Sequence, residues 1–192
     1  YVLCANCFAL DIPDGFEVTK RKAILHKSSG ILFPKKFQKY AISKIDVFDP
    51  NDPRSASVEY FREKMHISFY VYPREISGKS GEFEFMNILS GAKENKAELA
   101  EHQNTCTTIK GKQNSLEVYI GAISWNENHI SFGNWLFFAA GENNFYYIRT
   151  TYPFNEKNII KSRDVAASML LELIPEKSGC EVSKNSQLYK KN

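Results

Sequence analysis

The sequence predicts an α+β fold in which an antiparallel β-sheet is covered on one face by two helices. Aromatic residues make up 14% of the chain, and in several short segments apolar residues recur at every second position. Both features are typical of antiparallel strands, because rings and branched side chains pack well on a pleated, half-buried surface. Two longer segments have the spacing of an amphipathic helix instead. The regular alternation of strands and helices that a doubly wound nucleotide-binding fold requires is missing.

The first half of the chain is predicted to consist mainly of strands. One or two strands are expected within 16–27, and another at 41–48, before a turn rich in Asp and Pro. Alternating apolar residues predict two further strands at 56–60 and 67–71, and the polar residues 62–64 between them predict a hairpin loop. These two strands should lie side by side and present one face to the core.

The second half of the chain adds two helices and more strands. The spacing of apolar residues predicts helices over about 82–101 and 157–174, and Pro175 should end the second one. Turns rich in Asn and Gly separate the strands expected between them. These strands are at 116–122, 130–132, 135–139 and 145–152. The order of strands, helix, strands and helix is the basis of the α+β prediction.

Length and composition indicate a single folded domain. A chain of 192 residues, 43% of them hydrophobic, is long enough to bury a core without help from metals or disulfides. No proline- or serine-rich linker divides the sequence. We expect the domain to span 10–175, with a signal-peptide remnant at 1–9 and a polar C-terminal tail at 176–192.

Charge and hydropathy argue against several functional classes. The 25 Lys and Arg are distributed among 22 Asp and Glu, and the net charge of +3 gives little reason to expect nucleic acid as a partner. No run of about 18 apolar residues occurs, so no integral membrane segment is predicted. The sequence has no catalytic motif, no cofactor-binding motif and no clustered metal ligands. We therefore expect a non-catalytic protein without a cofactor or metal.

The N-terminal segment contains Cys4 and Cys7, which are spaced as in a redox or zinc site. The pair precedes every predicted strand, whereas a thioredoxin-like site follows a strand and a structural zinc site needs four ligands. The small residues Cys7 and Ala9, before Leu10, resemble the cleavage site of a secretory signal peptide instead. We expect residues 1–9 to belong to such a signal, and a disulfide-bonded N-terminus is the main alternative.

Without residues 1–9, Cys106 and Cys180 form an even pair of cysteines. Each follows one of the two predicted helices, so helices packed side by side could bring the two thiols together. The alternative is that the thiols are unrelated. A disulfide between them would indicate an oxidising compartment. We therefore expect a periplasmic or secreted protein.

Four segments of the sequence together resemble a known family. They are ILFP at 31–34, IDVFD at 45–49, ASVEY at 56–60 and ISFYVYP at 67–73. They are similar to the segments that precede the first helix in bacterial envelope proteins of the PsbP-like family. The resemblance implies further antiparallel strands and a C-terminal helix after that first helix. Relatives with this fold include an extrinsic subunit of photosystem II and a Ran-GTPase-binding protein, which are binding proteins without catalytic machinery. The resemblance implies no individual binding residue.

Outward-facing aromatic residues on the strands form the candidate binding surface. They are Tyr70, Tyr72, Trp135, Tyr146 and Tyr152. Exposed Tyr and Trp are common at interfaces, although Tyr on a strand also serves simply to cover a sheet. We expect this surface to bind a protein or an envelope component. The alternative is a small enzyme or ligand-binding pocket protein in which Arg149, Glu59 and His66 converge in a cleft.

Overall fold

The computed structural model describes residues 10–77, 80–94, 98–99, 105–112, 114–175 and 177–180. Its strands are, in chain order, β1 (Phe16–Val18), β2 (Ile24–His26), β3 (Leu32–Phe33), β4 (Lys36–Phe37), β5 (Tyr40–Asp49), β6 (Asp52–Arg62), β7 (Met65–Pro73), β8 (Glu98–Leu99), β9 (Thr105–Lys110), β10 (Ser115–Glu127), β11 (Ile130–Ala140) and β12 (Asn144–Pro153). Its helices are α1 (Arg74–Ser77), α2 (Gly81–Glu94) and α3 (Glu156–Leu173). These elements confirm the α+β class.

The strands of the described residues form two antiparallel sheets. The large sheet has the strand order β4-β5-β6-β7-β12-β11-β10-β8, and β9 also pairs with β10. The small sheet has the order β1-β2-β3. Strand β12 pairs with β7, so the last strand of the second half of the chain lies beside the last strand of the first half. This pairing makes both halves one sheet.

Most of the predicted strands agree with the structure. The hairpin between β6 and β7 turns at Glu63 and Lys64, where the polar residues predicted a loop. The strands predicted separately at 130–132 and 135–139 are one strand, β11, whose pairing with β12 continues without a break. Gly133 lies within this strand, where a Cβ atom would be only 2.8 Å from the Tyr152 ring. The glycine therefore makes room for a buried ring.

The helix predicted over 82–101 ends earlier than expected. Helix α2 ends at Glu94, and residues 98–99 form the short strand β8, which pairs with β10. Strand β9 was not predicted, although its three threonines favour a strand because their side chains are branched at Cβ. Leu99, which extended the predicted helix, therefore belongs to the sheet.

The two long helices lie on opposite faces of the large sheet, whereas the prediction placed both on one face. Alternate side chains of β11 belong to two separate cores: Trp135 and Phe137 to one, Leu136 and Phe138 to the other. The first core also contains Val165, Ala166, Met169 and Leu170 of α3. The second contains Phe85 and Leu89 of α2. We call the two sides of the sheet the α3 face and the α2 face.

The small sheet packs on the α3 face. Phe16 and Ile24 are buried in the same core as α3. The Tyr60 hydroxyl on β6 donates a hydrogen bond to the carbonyl oxygen of Pro34, at 2.9 Å. The α3 face is therefore covered by the small sheet and by α3 together.

A buried histidine also joins the two sheets. His26 on β2 is fully buried. Its Nε2–H donates a hydrogen bond to the carbonyl oxygen of Pro53 at 2.9 Å, and its Nδ1 accepts one from the Ser29 hydroxyl at 2.8 Å. Both ring nitrogens are satisfied when the ring is neutral. Burial lowers the pKa of His26 below its usual value, although the hydrogen bond to Pro53 opposes this shift.

We expect His26 to make the protein less stable in weak acid. Because its pKa is lower in the folded protein than in the unfolded chain, the unfolded chain takes up the proton first as the pH falls. The stability that depends on neutral His26 should therefore be fully present above pH of about 6.5 and decrease below it. Denaturant titrations across this range should show that the free energy of unfolding falls less with decreasing pH for His26→Gln than for the wild type. Equal pH dependence in the variant and the wild type would contradict the role given to His26.

Candidate functional site: the open face of the sheet

The α2 face of the large sheet is only partly covered by its helix. Helix α2 packs on β10 and β11. On the same face, strands β5, β6, β7 and β12 carry mostly exposed or half-buried side chains. We call this region the open face. Its side chains are those of Lys44, Asp46, Phe48, Ser57, Glu59, Phe61, His66, Ser68, Tyr70, Tyr147, Arg149 and Thr151.

A row of three aromatic rings crosses the open face. The ring centroids of Phe48 and Tyr70 are 6.0 Å apart with an angle of 23° between the planes. Tyr70 and Tyr147 follow at 5.1 Å and 22°. Neighbouring rings of the row are therefore close to parallel. Phe48, at the end of the row, is 54% exposed.

Tyr147 joins the row to the covered part of the sheet. It is half-buried and lies in register between Tyr70 on β7 and Phe138 on β11. Burial raises the pKa of its hydroxyl, and the positive charge of Arg149 opposes this shift. The hydroxyl therefore stays protonated at neutral pH and can both donate and accept a hydrogen bond. The Arg149 guanidinium is 5.9 Å from the Tyr70 ring centroid, which is within cation–π range.

Short and charged side chains surround the aromatic row. Ser57 and Ser68 are only 4% and 5% exposed and lie in register between longer side chains. The surface beside the rings is therefore uneven. Lys44 and Asp46 form an exposed ion pair at 2.8 Å on the neighbouring strand β5. The rings thus form an apolar ridge that is flanked by small polar residues and by charges of both signs.

The three polar residues predicted to converge in a cleft lie on this exposed surface. Glu59 on β6 and Arg149 on β12 flank Ser68 in one row across the sheet. His66 lies in the adjacent row, and its ring is 4.5 Å from that of Phe61. Within the described residues, pockets lie along α3 and near the start of α1, and residues other than these three line them. The three residues therefore share a sheet face and none of those pockets.

The aromatic residues predicted to form the binding surface are divided between the two faces. Tyr70 and Tyr72 both lie on the α2 face, and the half-buried Tyr72 donates a hydrogen bond to Glu84 of α2 at 3.3 Å. The other three are buried in the α3 core: Trp135, Tyr146 and Tyr152, which are 8%, 0% and 2% exposed. These three belong to the interior and not to an exposed surface.

Two residues of the aromatic row, Tyr147 and Phe48, were not predicted to lie on a binding surface. Tyr147 follows Tyr146 directly, and residues adjacent in a strand point to opposite faces. The sequence alone does not say which of the two tyrosines is buried. Phe48 lies where a bulge between Val47 and Asp49 shifts the register of β5, so simple alternation cannot place it.

The structure confirms that Cys106 and Cys180 lie at disulfide distance, with their Cα atoms 6.0 Å apart. The bond joins β9 to the segment 177–180. In this segment the Ser178 hydroxyl donates a hydrogen bond to the backbone oxygen of Glu117, at 2.9 Å. The Cys180 N–H donates one to the side-chain carboxylate of Glu117, also at 2.9 Å. Ser178 and Cys180 of the predicted polar tail therefore contact β10.

The same cysteines account for a possible cluster of metal ligands. Among the described residues, Cys106, Cys180 and Glu117 bring ligand atoms close together. The two sulfur atoms are bonded to each other and offer no thiolate to a metal. Cys4 and Cys7, which raised the question of a redox or zinc site, lie outside the described residues.

Comparison with models of known protein families gives no match for this chain, and comparison with curated proteins gives none either. In the ranges that the structure describes, no helix has both the length and the apolar character needed to cross a membrane. The functional conclusion therefore depends on the geometry of the open face.

Proposed function

We propose that this chain is a non-catalytic binding domain that holds a partner protein on the open face. The observation that carries the proposal is the aromatic row, in which Tyr147 packs against the core under α2 and Tyr70 and Phe48 continue onto the open face. Aromatic side chains are enriched at the centres of protein interfaces, where they supply large contact areas at a low cost in side-chain entropy. The charges of both signs around the row would contribute specificity.

The orientation of the rings favours a protein over a sugar or a nucleobase as the partner. Stacking of a flat ligand requires exposed ring faces. Tyr70 has a near-parallel ring on either side, and both tyrosines of the row are half-buried. A flat ligand therefore finds no run of free ring faces, whereas the exposed Phe48 side chain can enter a pocket of a partner protein.

The order of elements supports assignment to a PsbP-like fold, which we also propose. Strand β7 ends at Pro73, directly before α1 and α2. Antiparallel strands follow, and α3 comes after the last of them. This is the order that the resemblance implies. Because the relatives with this fold are binding proteins, the analogy supports binding over catalysis.

We further propose a periplasmic or extracellular location. Disulfides persist in oxidising compartments and are rare in the cytosol, and the pairing of Cys106 with Cys180 supports such a compartment. Fractionation of source cells tests the location, and recovery of the folded protein mainly with cytosolic markers would contradict it.

The proposed function predicts that Phe48→Ser weakens partner binding while leaving the fold intact. The Phe48 side chain is 54% exposed, so little core packing is lost. Removing an aromatic anchor from an interface costs about 2 kcal/mol or more, which is about 30-fold in affinity. The measurement is affinity capture from an envelope extract of the source cells, with captured proteins quantified by mass spectrometry.

Phe154→Ser is the matched control, because Phe154 is 50% exposed and follows the end of β12. We expect proteins that are captured by the wild type and by Phe154→Ser but are lost from Phe48→Ser. Circular dichroism and thermal melting check that both variants fold. Equal capture by all three proteins would mean that the open face is not the binding site.

A further inference from the structure

Basic residues are concentrated in the N-terminal part of the domain. Residues 16–40 contain seven of the 25 Lys and Arg of the chain and one of its 22 Asp and Glu. All seven basic side chains are exposed: Lys20, Arg21, Lys22, Lys27, Lys35, Lys36 and Lys39. The ion pairs found among the described residues involve none of them. The modest net charge of the whole chain conceals this local excess.

The topology of the small sheet gathers most of these residues at one of its ends. Strands β2 and β3 are antiparallel, and Ile24 lies opposite Phe33. The turn that precedes Ile24 and the chain that follows Phe33 therefore lie at the same end of the sheet. The basic residues of these two segments are Lys20, Arg21, Lys22, Lys35 and Lys36.

The basic region continues onto α3. Gln38, in the turn between β4 and β5, lines the same shallow pocket as Lys157 and Lys161 of α3. Asp164 is the acidic residue of this pocket. We call the segments 20–22, 35–39 and 157–161 together the basic surface. Most of it lies with the small sheet and α3 on the side of the large sheet opposite the open face. Lys36 is the exception, because β4 is an edge strand of the large sheet and the register places Lys36 on the side of Ala41 and Phe61.

Exposed apolar side chains accompany the basic ones. Val18 lies next to the basic turn, Ile160 lies between the two α3 lysines, and Leu32 is on β3; they are 49%, 47% and 52% exposed. The large aromatic side chains of the same region are buried: Phe33, Phe37 and Tyr40. The basic surface therefore offers exposed aliphatic groups. None of these three rings is exposed, so a nucleobase could not stack on them.

We propose that the basic surface docks onto a membrane surface that contains anionic lipids. Lysine and arginine close to such a bilayer are attracted by its negative surface potential, and each adds to the binding. Exposed aliphatic side chains beside them can enter the boundary between headgroups and acyl chains. The proposal is independent of partner binding on the open face.

The test is co-sedimentation of the full chain with vesicles of phosphatidylcholine alone or mixed in equal parts with phosphatidylglycerol. We expect binding to the anionic vesicles only, and weaker binding as salt is added. Lys20→Glu/Arg21→Glu/Lys22→Glu should weaken this binding at least about tenfold. The control, Lys64→Glu/Lys110→Glu/Lys112→Glu, changes the net charge equally at exposed lysines outside the basic surface and should retain binding.

Three results would overturn the proposal. Equal binding to neutral and anionic vesicles would exclude headgroup charge as the determinant. Equal loss in the two charge-reversed variants would show that only net charge matters. Loss of duplex DNA binding in the first variant, with its vesicle binding unchanged, would identify nucleic acid as the partner. Phe48→Ser should bind anionic vesicles like the wild type, so this proposal and the proposed function fail separately.

Discussion

Replacing Cys106 and Cys180 by serine should lower the free energy of unfolding by about 4 kcal/mol. The bond links residues separated by 74 positions, and in the chain-entropy model a cross-link over such a loop excludes many conformations of the unfolded chain. It also holds the segment 177–180 against Glu117 on β10. Guanidinium denaturation of the oxidised wild type and of the double variant measures the difference.

The reduced wild type is the matched control for the double serine variant. Both lack the cross-link, so their free energies of unfolding should be similar and both well below that of the oxidised protein. An unfolding free energy that does not change on reduction would contradict the prediction. Peptide mapping that finds both cysteines as free thiols in the native protein would contradict the pairing itself.

Phe137→Ala and Phe138→Ala should each lower the free energy of unfolding by about 3–5 kcal/mol. These adjacent residues of β11 are 1% and 0% exposed and belong to the cores on opposite faces of the sheet. Truncating a buried phenylalanine removes its apolar contacts and leaves a cavity. The pair therefore tests whether both faces of the sheet are covered. Thermal or denaturant unfolding of the purified variants measures both losses.

A sheet covered on one face only would give a different result. In that case Phe138→Ala would lower the free energy of unfolding by less than about 1 kcal/mol, as expected for a surface substitution. Phe137→Ala would still lower it by about 3–5 kcal/mol. If either alanine variant does not fold, the leucine variants provide the same comparison with smaller losses. Similar losses at both positions support α2 and α3 on opposite faces.

The fold class and most strands could be predicted because alternation along a strand is a local property of the sequence. The placement of the helices could not be predicted in this way, since it depends on which strand pairs with which. One sequence signal for it existed. Residues 135–140 are apolar without interruption, a pattern that indicates a strand buried on both faces. A sheet covered on one face does not explain that run.

The candidate site was only partly predictable. The position of Tyr70 on the open face follows from its alternation with buried Phe69 and Val71. The opposite orientations of Tyr146 and Tyr147 depend on tertiary packing, and the position of Phe48 depends on a bulge that alternation does not show. The basic surface is not evident from the net charge of +3, because the excess of Lys and Arg is confined to residues 16–40 and is offset by acidic residues elsewhere in the chain.

Hydroxyl-radical footprinting of the protein with its captured partner tests the central claim most directly, because it reports which side chains the partner covers. The account predicts that oxidation of Phe48 and Tyr70 falls when the partner is bound, while oxidation of Phe154 and Ile160, which are exposed outside the open face, stays the same. Unchanged oxidation of Phe48 and Tyr70, together with protection elsewhere, would contradict the open face as the binding site.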